Sequence, residues 1–206
     1  MQQNIEFKPK FIERYSALTD WELFKKTSLS FLRRSIRVNT LKISINELKE
    51  RLEKNWNLDP IPWCKEGFWI EHKKKERRDI GNLIEHPLGY FYTQEAASMI
   101  PPLVLGPKEN ELILDMAASP GSKTTQIAQY MKNTGILIAN DYTTLRMKPL
   151  SINLQRSGVS NCIITLMQGQ WFRNSNIEFD KILVDAPCSG TGTIRKSFKT
   201  LRIWNP

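Results

Sequence analysis

Cysteine is scarce in this 206-residue chain, with only Cys64, Cys162 and Cys188. An odd number without a C-x-x-C pair argues against a disulfide framework and against a structural zinc site. Only two histidines, His72 and His86, are present, and neither neighbours a cysteine pair, so no metal is expected. Long apolar runs are missing too. A bilayer-spanning helix needs about 18 or more apolar residues, and none occurs. The first residues, M-Q-Q-N-I-E-F-K-P-K, lack the apolar stretch of an export signal, which reads as a cytoplasmic protein. Two phosphate-binding signatures are also absent. There is no G-x-G-x-x-G, and Gly121 is followed by Ser122 before Lys123-Thr124, which breaks the P-loop pattern.

What is abundant is positive charge. Thirty Lys and Arg stand against 21 Asp and Glu, a net charge of +9. Residues 1–90 hold 18 basic and 13 acidic side chains, so the excess is spread rather than confined to a tail. A basic globular chain favours a polyanionic partner, nucleic acid first. Hydrophobic residues make up 40%, enough for a real core.

Periodicity divides the chain near residue 90. Residues 7–32 have helical spacing, S-I-R-V-N-T-L-K reads as a short strand, and Ser44 with Glu47 forms a capping-box signature. Trp56 to Trp69 read as extended. The region predicts a small α/β domain carrying a surface charge run, H-K-K-K-E-R-R. Beyond it, Thr93 is positioned to cap a helix that Pro101-Pro102 would end or kink. Strands then alternate with helices: E-L-I-L-D, G-I-L-I-A-N-D, N-C-I-I-T-L-M and F-D-K-I-L-V-D, with a helix broken or kinked at Pro149. Apolar strands alternating with amphipathic helices predict a doubly wound parallel sheet, whose ligands bind at the carboxyl ends of the strands.

Those ends carry distinctive residues. The first strand runs from Asp115 into M-A-A-S-P-G-S-K-T-T, a turn small enough for backbone amides to approach a ligand at a helix N-terminus. The second ends at Asp141, where an acid about 25 residues on would grip a ribose. That layout suits an adenosine-containing cofactor, although many α/β proteins have small residues in their first turn. The fourth ends in Asp185-Ala186-Pro187-Cys188. Cys188 sits in a polar, Gly-rich loop beside an acid, unlike Cys64 and Cys162, which read as structural.

D-M-A-A-S-P-G-S-K-T-T-Q-I-A, then A-N-D, then D-A-P-C-S-G-T-G-T-I-R-K resemble the Nop/Sun family of RNA (cytosine-5) methyltransferases, nearest its RsmF-like and archaeal tRNA branch. I-R-V-N-T-L-K and Y-T-Q-E-A-A-S-M-I-P-P extend the likeness along nearly the whole chain. The resemblance implies a Rossmann-like core using S-adenosylmethionine over residues 91–206, after an RNA-binding domain over 1–90. By resemblance, Ala117, Ala118, Ser119, Pro120, Gly121, Ser122 and Lys123 cradle the cofactor. Asp141 holds its ribose and Arg146 fills a basic motif position. Gln168 stands where the family usually has an acid, and Asp185 completes the set.

In this family a thiolate adds to C6 of cytosine so that C5 becomes nucleophilic, and a carboxyl group meets N3. Asp185 matches that carboxyl. Cys188 matches the cysteine that assists product release, while the nucleophile belongs to a later T-C motif that these 206 residues do not contain. The chain therefore reads as an N-terminal fragment, a split-gene half needing a C-terminal partner chain, or a truncated frame. A sheet stopped after four strands is expected to expose an apolar edge. By resemblance, Arg37, Asn39 and Lys42 of R-V-N-T-L-K are expected to contact RNA; by charge, so are Arg195 and Lys196, which with Lys199 and Arg202 follow Asp185 with no intervening acid. tRNA is the favoured substrate, with rRNA second. Two alternatives stay open: an inactive RNA- or cofactor-binding module, and a base N-methyltransferase.

Overall fold

The computed structural model describes residues 6–205; the first five residues, part of the stretch read as carrying no export signal, lie outside it. In chain order the elements are α1 (Pro9–Ser16), α2 (Trp21–Leu29), β1 (Ser35–Val38), α3 (Ile45–Leu52), β2 (Trp56–Ile61), β3 (Cys64–His72), β4 (Phe91–Thr93) and α4 (Ile100–Leu105). They continue with β5 (Leu112–Asp115), α5 (Ser122–Tyr130), β6 (Ile136–Asp141), α6 (Thr144–Ser157), β7 (Cys162–Leu166), β8 (Lys181–Leu183) and α7 (Lys199–Ile203).

Two compact units result: one is Arg34–Ala186, the other combines the described residues up to Arg33 with those from Pro187 on. In the latter, α1, α2 and α7 close around Phe7, Phe11, Ile194, Leu201 and Trp204. The aromatic rings interlock, with Phe11 edge-on to Trp204 at 5.0 Å and Tyr15 stacked on Phe24 at 4.8 Å.

The larger unit holds two sheets. The first is antiparallel, in the order β2-β3-β1-β4. Its core gathers Ile36, Val38, Trp56 and Phe68 against Leu48 and Leu52 of α3. The capping box is present: Ser44 Oγ accepts from Glu47 N while Glu47 takes the Ser44 amide. Side chains alternate along a strand, so Ile36 and Val38 face this core and Ser35 and Arg37 the opposite side. All four β1 residues are nonetheless buried.

The second sheet is parallel, in the order β7-β6-β5-β8. The order reverses beside β5, because β6 and β7 build outward on one side and β8 returns to the other. In sheets of this kind the ligand crevice lies at that switch point, here the carboxyl ends of β5 and β8. Ile113, Ile127, Met131 and Leu137 fill the core between sheet and helices. At the outer strands Ile163, Leu166 and Ile182 are about half exposed, as is Val184 just beyond β8.

Two proline expectations need correction. Pro101-Pro102 begin α4 instead of ending a helix, because a first-turn residue has no intrahelical partner for the N–H that proline lacks. α6 runs through Pro149 unbroken and closes on Gly158 in the left-handed region. Among the described residues no helix is long and apolar enough to cross a membrane.

Candidate active site

The site assembles at the carboxyl edge of the parallel sheet. Asn140, at the end of β6, ties three strand ends together. Its Nδ2 donates to Met116 O at 3.1 Å and Met167 O at 2.9 Å, and its Oδ1 accepts from Thr165 Oγ1 at 3.0 Å. Ala118 N donates to Asn140 O at 2.8 Å, which holds the small-residue turn against β6. Gly121 caps α5 with φ +101, a conformation side-chain-bearing residues rarely adopt. Ala118, Ser119 and Gly121 are buried, Ala117, Ser122 and Lys123 half-buried, and Pro120 exposed. The turn thus presents small groups at a helix N-terminus, which fits an adenosine-type cofactor.

Asp141, expected to hold a ribose, closes β6 beside the turn. Its carboxylate is wholly enclosed, accepting from Ser119 N at 3.2 Å and Tyr142 N at 2.9 Å, with Arg146 Nη1 at 3.5 Å. In this geometry it buttresses the turn. Arg146 also donates to Ser119 O at 2.8 Å, so both residues serve the same turn. Gln168, just past β7, is exposed and accepts from Gln170 Nε2 at 2.9 Å.

Across the switch point, Asp185 follows β8. Its side chain is half exposed and takes a hydrogen bond from Lys123 Nζ, whose own side chain is 14% exposed. A cation at the start of α5 therefore orients the acid at the end of the fourth strand. Beneath them lies Asp115, which sequence reading used only as a strand end. Its carboxylate accepts from Thr124 Oγ1 at 2.7 Å, and burial outweighs that bond and pushes its pKa up to about 6.

The raised value predicts a pH effect. Between the unfolded value near 4 and about 6, the folded state holds a proton that the unfolded state has released. Asp115 therefore destabilises progressively as pH rises through that window. Asp115→Asn is expected to gain about 2–3 kcal/mol on wild type between pH 4 and pH 7. Urea unfolding at both pH values checks this; a stability difference that does not change with pH would refute it.

Cys188, Arg195 and Lys196 belong to the other compact unit. Cys188 is exposed, and its Sγ accepts from Gly190 N at 3.4 Å. Arg195 is half-buried and donates to Phe31 O at 2.7 Å, while Lys196 is exposed.

Of the R-V-N-T-L-K residues expected to contact RNA, Arg37 and Asn39 are turned inward and Lys42 stays exposed. Arg37 is 1% exposed and donates to Gln94 Oε1, Ser122 O and Thr125 Oγ1 at 2.8–2.9 Å. Asn39 is buried and donates to Gly89 O and Ser157 O, both at 2.8 Å. Lys42 is exposed, yet its Nζ caps α6 through Arg156 O at 2.8 Å. The first two have no surface to offer a phosphate; all three dock the antiparallel sheet onto α5 and α6. Cys64, read as structural, is buried beside Glu66. Among the described residues no group of His, Cys, Asp and Glu could hold a metal.

Residues 7–96 match the family model for the N-terminal domain of the 16S rRNA methyltransferase RsmF, and residues 102–203 that for the 16S rRNA methyltransferase RsmB/F. The chain is 50% identical, over its whole length, to a tRNA (cytosine(49)-C(5))-methyltransferase of Pyrococcus abyssi, of which it spans 66%. It is 53% identical over 85% of its length to the ribosomal RNA small subunit methyltransferase F of Aliivibrio salmonicida, of which it spans 38%. Among solved structures, a methyltransferase homologue from Pyrococcus horikoshii superposes with a TM-score of 0.77 at 36% identity. That match covers 93% of this chain and 67% of the other. NSun6 from P. horikoshii, solved with SFG, gives 0.82 at 26% identity over 91% of this chain and 72% of the other. The fold is that of S-adenosylmethionine-dependent methyltransferases, and the chain belongs to the Nop/Sun family of RNA (cytosine-5) methyltransferases.

Proposed function

We propose that this chain supplies the cofactor turn and the base-recognising acid of an RNA (cytosine-5) methyltransferase. The observation that carries this reading is the pairing of Asp185, after β8, with Lys123, at the start of the helix that follows the small-residue turn. An oriented acid and a cofactor-type turn then share one crevice, as transfer between a cofactor and a base requires. Residues 1–90 serve RNA binding and 91–206 begin the methyltransferase domain. tRNA is the favoured substrate, because likeness to the P. abyssi tRNA enzyme runs along the entire chain.

Ala117 to Lys123 would hold S-adenosylmethionine, with Asp141 and Arg146 bracing the turn and Gln168 at its rim. The cofactor supplies an electrophilic methyl group when bound. Asp185 meets N3 of the flipped cytosine and stabilises charge developing in the ring. Lys123 holds that carboxyl in place. Cys188 assists release of the methylated base, after a thiolate of the T-C motif has added to C6. Arg195, Lys196 and the 73–78 charge run offer phosphate contacts.

The test is transfer of labelled methyl from S-adenosylmethionine to bulk tRNA and to rRNA. This chain is assayed alone and together with the C-terminal portion of the P. abyssi relative. 5-Methylcytosine in tRNA supports the reading, and in rRNA it reassigns the substrate. A methyl group on another base atom overturns it. Cofactor and RNA binding without transfer in either arm favours a binding module.

A further inference from the structure

Arg37 sits 85 residues before the helix it touches, on a different sheet, and is fully buried. Its destination is specific. Each backbone carbonyl from Ser119 to Ser122 has an acceptor role outside the crevice. Ser119 O takes Arg146 Nη2 at 2.8 Å, Pro120 O takes Asn153 Nδ2 at 2.8 Å, and Gly121 O takes Thr125 N at 2.9 Å. Ser122 O takes Arg37 Nη1 at 2.9 Å, and the other arm of the same guanidinium holds Thr125 Oγ1 at 2.9 Å. A trans peptide is planar, so fixing a carbonyl fixes the N–H across the plane in the opposite direction. The Ser122 bond thereby aims the Lys123 amide, and Lys123 is the residue that orients Asp185.

Burying a guanidinium is costly, and here burial lowers its pKa to about 10, so it remains charged at neutral pH. Hydrogen bonds from a charged donor are about twice as strong as neutral ones. The Tyr92 ring, from β4, lies 5.7 Å from the guanidinium carbon, and its hydroxyl is 3.5 Å from Pro120 O. The antiparallel sheet thus meets the turn at two peptides, 120–121 through Tyr92 and 122–123 through Arg37.

We propose that Arg37 is a positioning residue for the cofactor turn, coupling the antiparallel sheet to the backbone that receives S-adenosylmethionine. The inference rests on the cofactor reading above. It makes cofactor affinity a property of β1 as well as of the parallel sheet.

The experiment compares wild type, Arg37→Met, Arg37→Lys and Ser35→Ala. Ser35 is the control, because its buried hydroxyl donates to Gln94 O, just past β4, and not to the turn. Two quantities are read: the dissociation constant for S-adenosylhomocysteine by calorimetry, and amide exchange of residues 121–124 in the cofactor-free protein. Arg37→Met is expected to weaken binding by about tenfold or more and to speed exchange of those amides. Arg37→Lys is expected to recover part of both, and Ser35→Ala to change neither. Should Arg37→Met not fold, Arg37→Lys reads the same quantities against wild type. Binding within twofold of wild type in a folded Arg37 variant, or equal losses in Ser35→Ala, overturns the proposal. If wild type itself fails to bind, the cofactor reading falls, while amide exchange still reports on the clasp.

Discussion

Replacing Asp185 with alanine is expected to lower methyl transfer to RNA cytosine about a thousandfold, in whichever form transfers methyl, this chain alone or complemented. The side chain is half exposed and pairs with Lys123 at the rim of the sheet, so the fold does not depend on it. A partly exposed ion pair contributes little to stability, and the midpoint of thermal unfolding should hardly move. The catalytic loss has a different origin. Adding a nucleophile to C6 pushes charge onto the ring, and without a carboxyl at N3 nothing preorganised meets it. Asp185→Asn keeps the shape but not the acid, and is expected to bind RNA while transferring methyl poorly. Initial rates at saturating RNA and cofactor check this. A near-normal rate for Asp185→Ala would remove the residue from the mechanism.

The second large effect concerns stability. Gly89→Ala is expected to destabilise the larger unit by about 3 kcal/mol or more. Gly89 has φ +73, and a Cβ there would lie 1.9 Å from Arg156 O and 2.9 Å from the carbonyl carbon. Those atoms are backbone of the last turn of α6, so no side-chain rotation relieves the clash. The same place is dense with bonds. Arg156 O accepts Lys42 Nζ, and Asn39 Nδ2 donates to Gly89 O and to Ser157 O. Moving the turn at Gly89 away from the helix breaks these together. Gly81→Ala is the control, because an added Cβ meets nothing within 4 Å and the backbone lies outside the left-handed region. Its stability should stay within about 0.5 kcal/mol of wild type. Urea midpoints for the two variants decide it; equal midpoints would mean the contact at Gly89 yields easily.

Local pattern was a good guide where one residue's neighbours in sequence are also its partners. The Ser44–Glu47 box is made within four residues, and it formed as its spacing implies. The four parallel strands were visible as apolar runs, and the turn after Asp115 as small residues ahead of a helix. The expected RNA contact of Arg37, taken from the family motif, failed where a second layer covers a face. Ser35 and Arg37 alternate with Ile36 and Val38, which in isolation reads as a solvent face. In the folded chain that face is closed, and Arg37 spends its donors on α5 and Gln94. The enclosure of Asp141 likewise depends on Ser119 and Arg146, which arrive from other parts of the chain.

The amino-acid sequence by itself determined most of the elements, the α/β class, the excess of positive charge and the motifs that mark the family. All of these depend on short-range spacing and residue chemistry. Only the tertiary structure decided the strand order that puts β8 beside β5, the Lys123–Asp185 pairing, and the inward turn of Arg37 and Asn39. The physical reason is that a donor's partner is set by which carbonyl lies within about 3 Å after packing. For a residue bonded across 85 positions, nothing in its local sequence specifies that carbonyl.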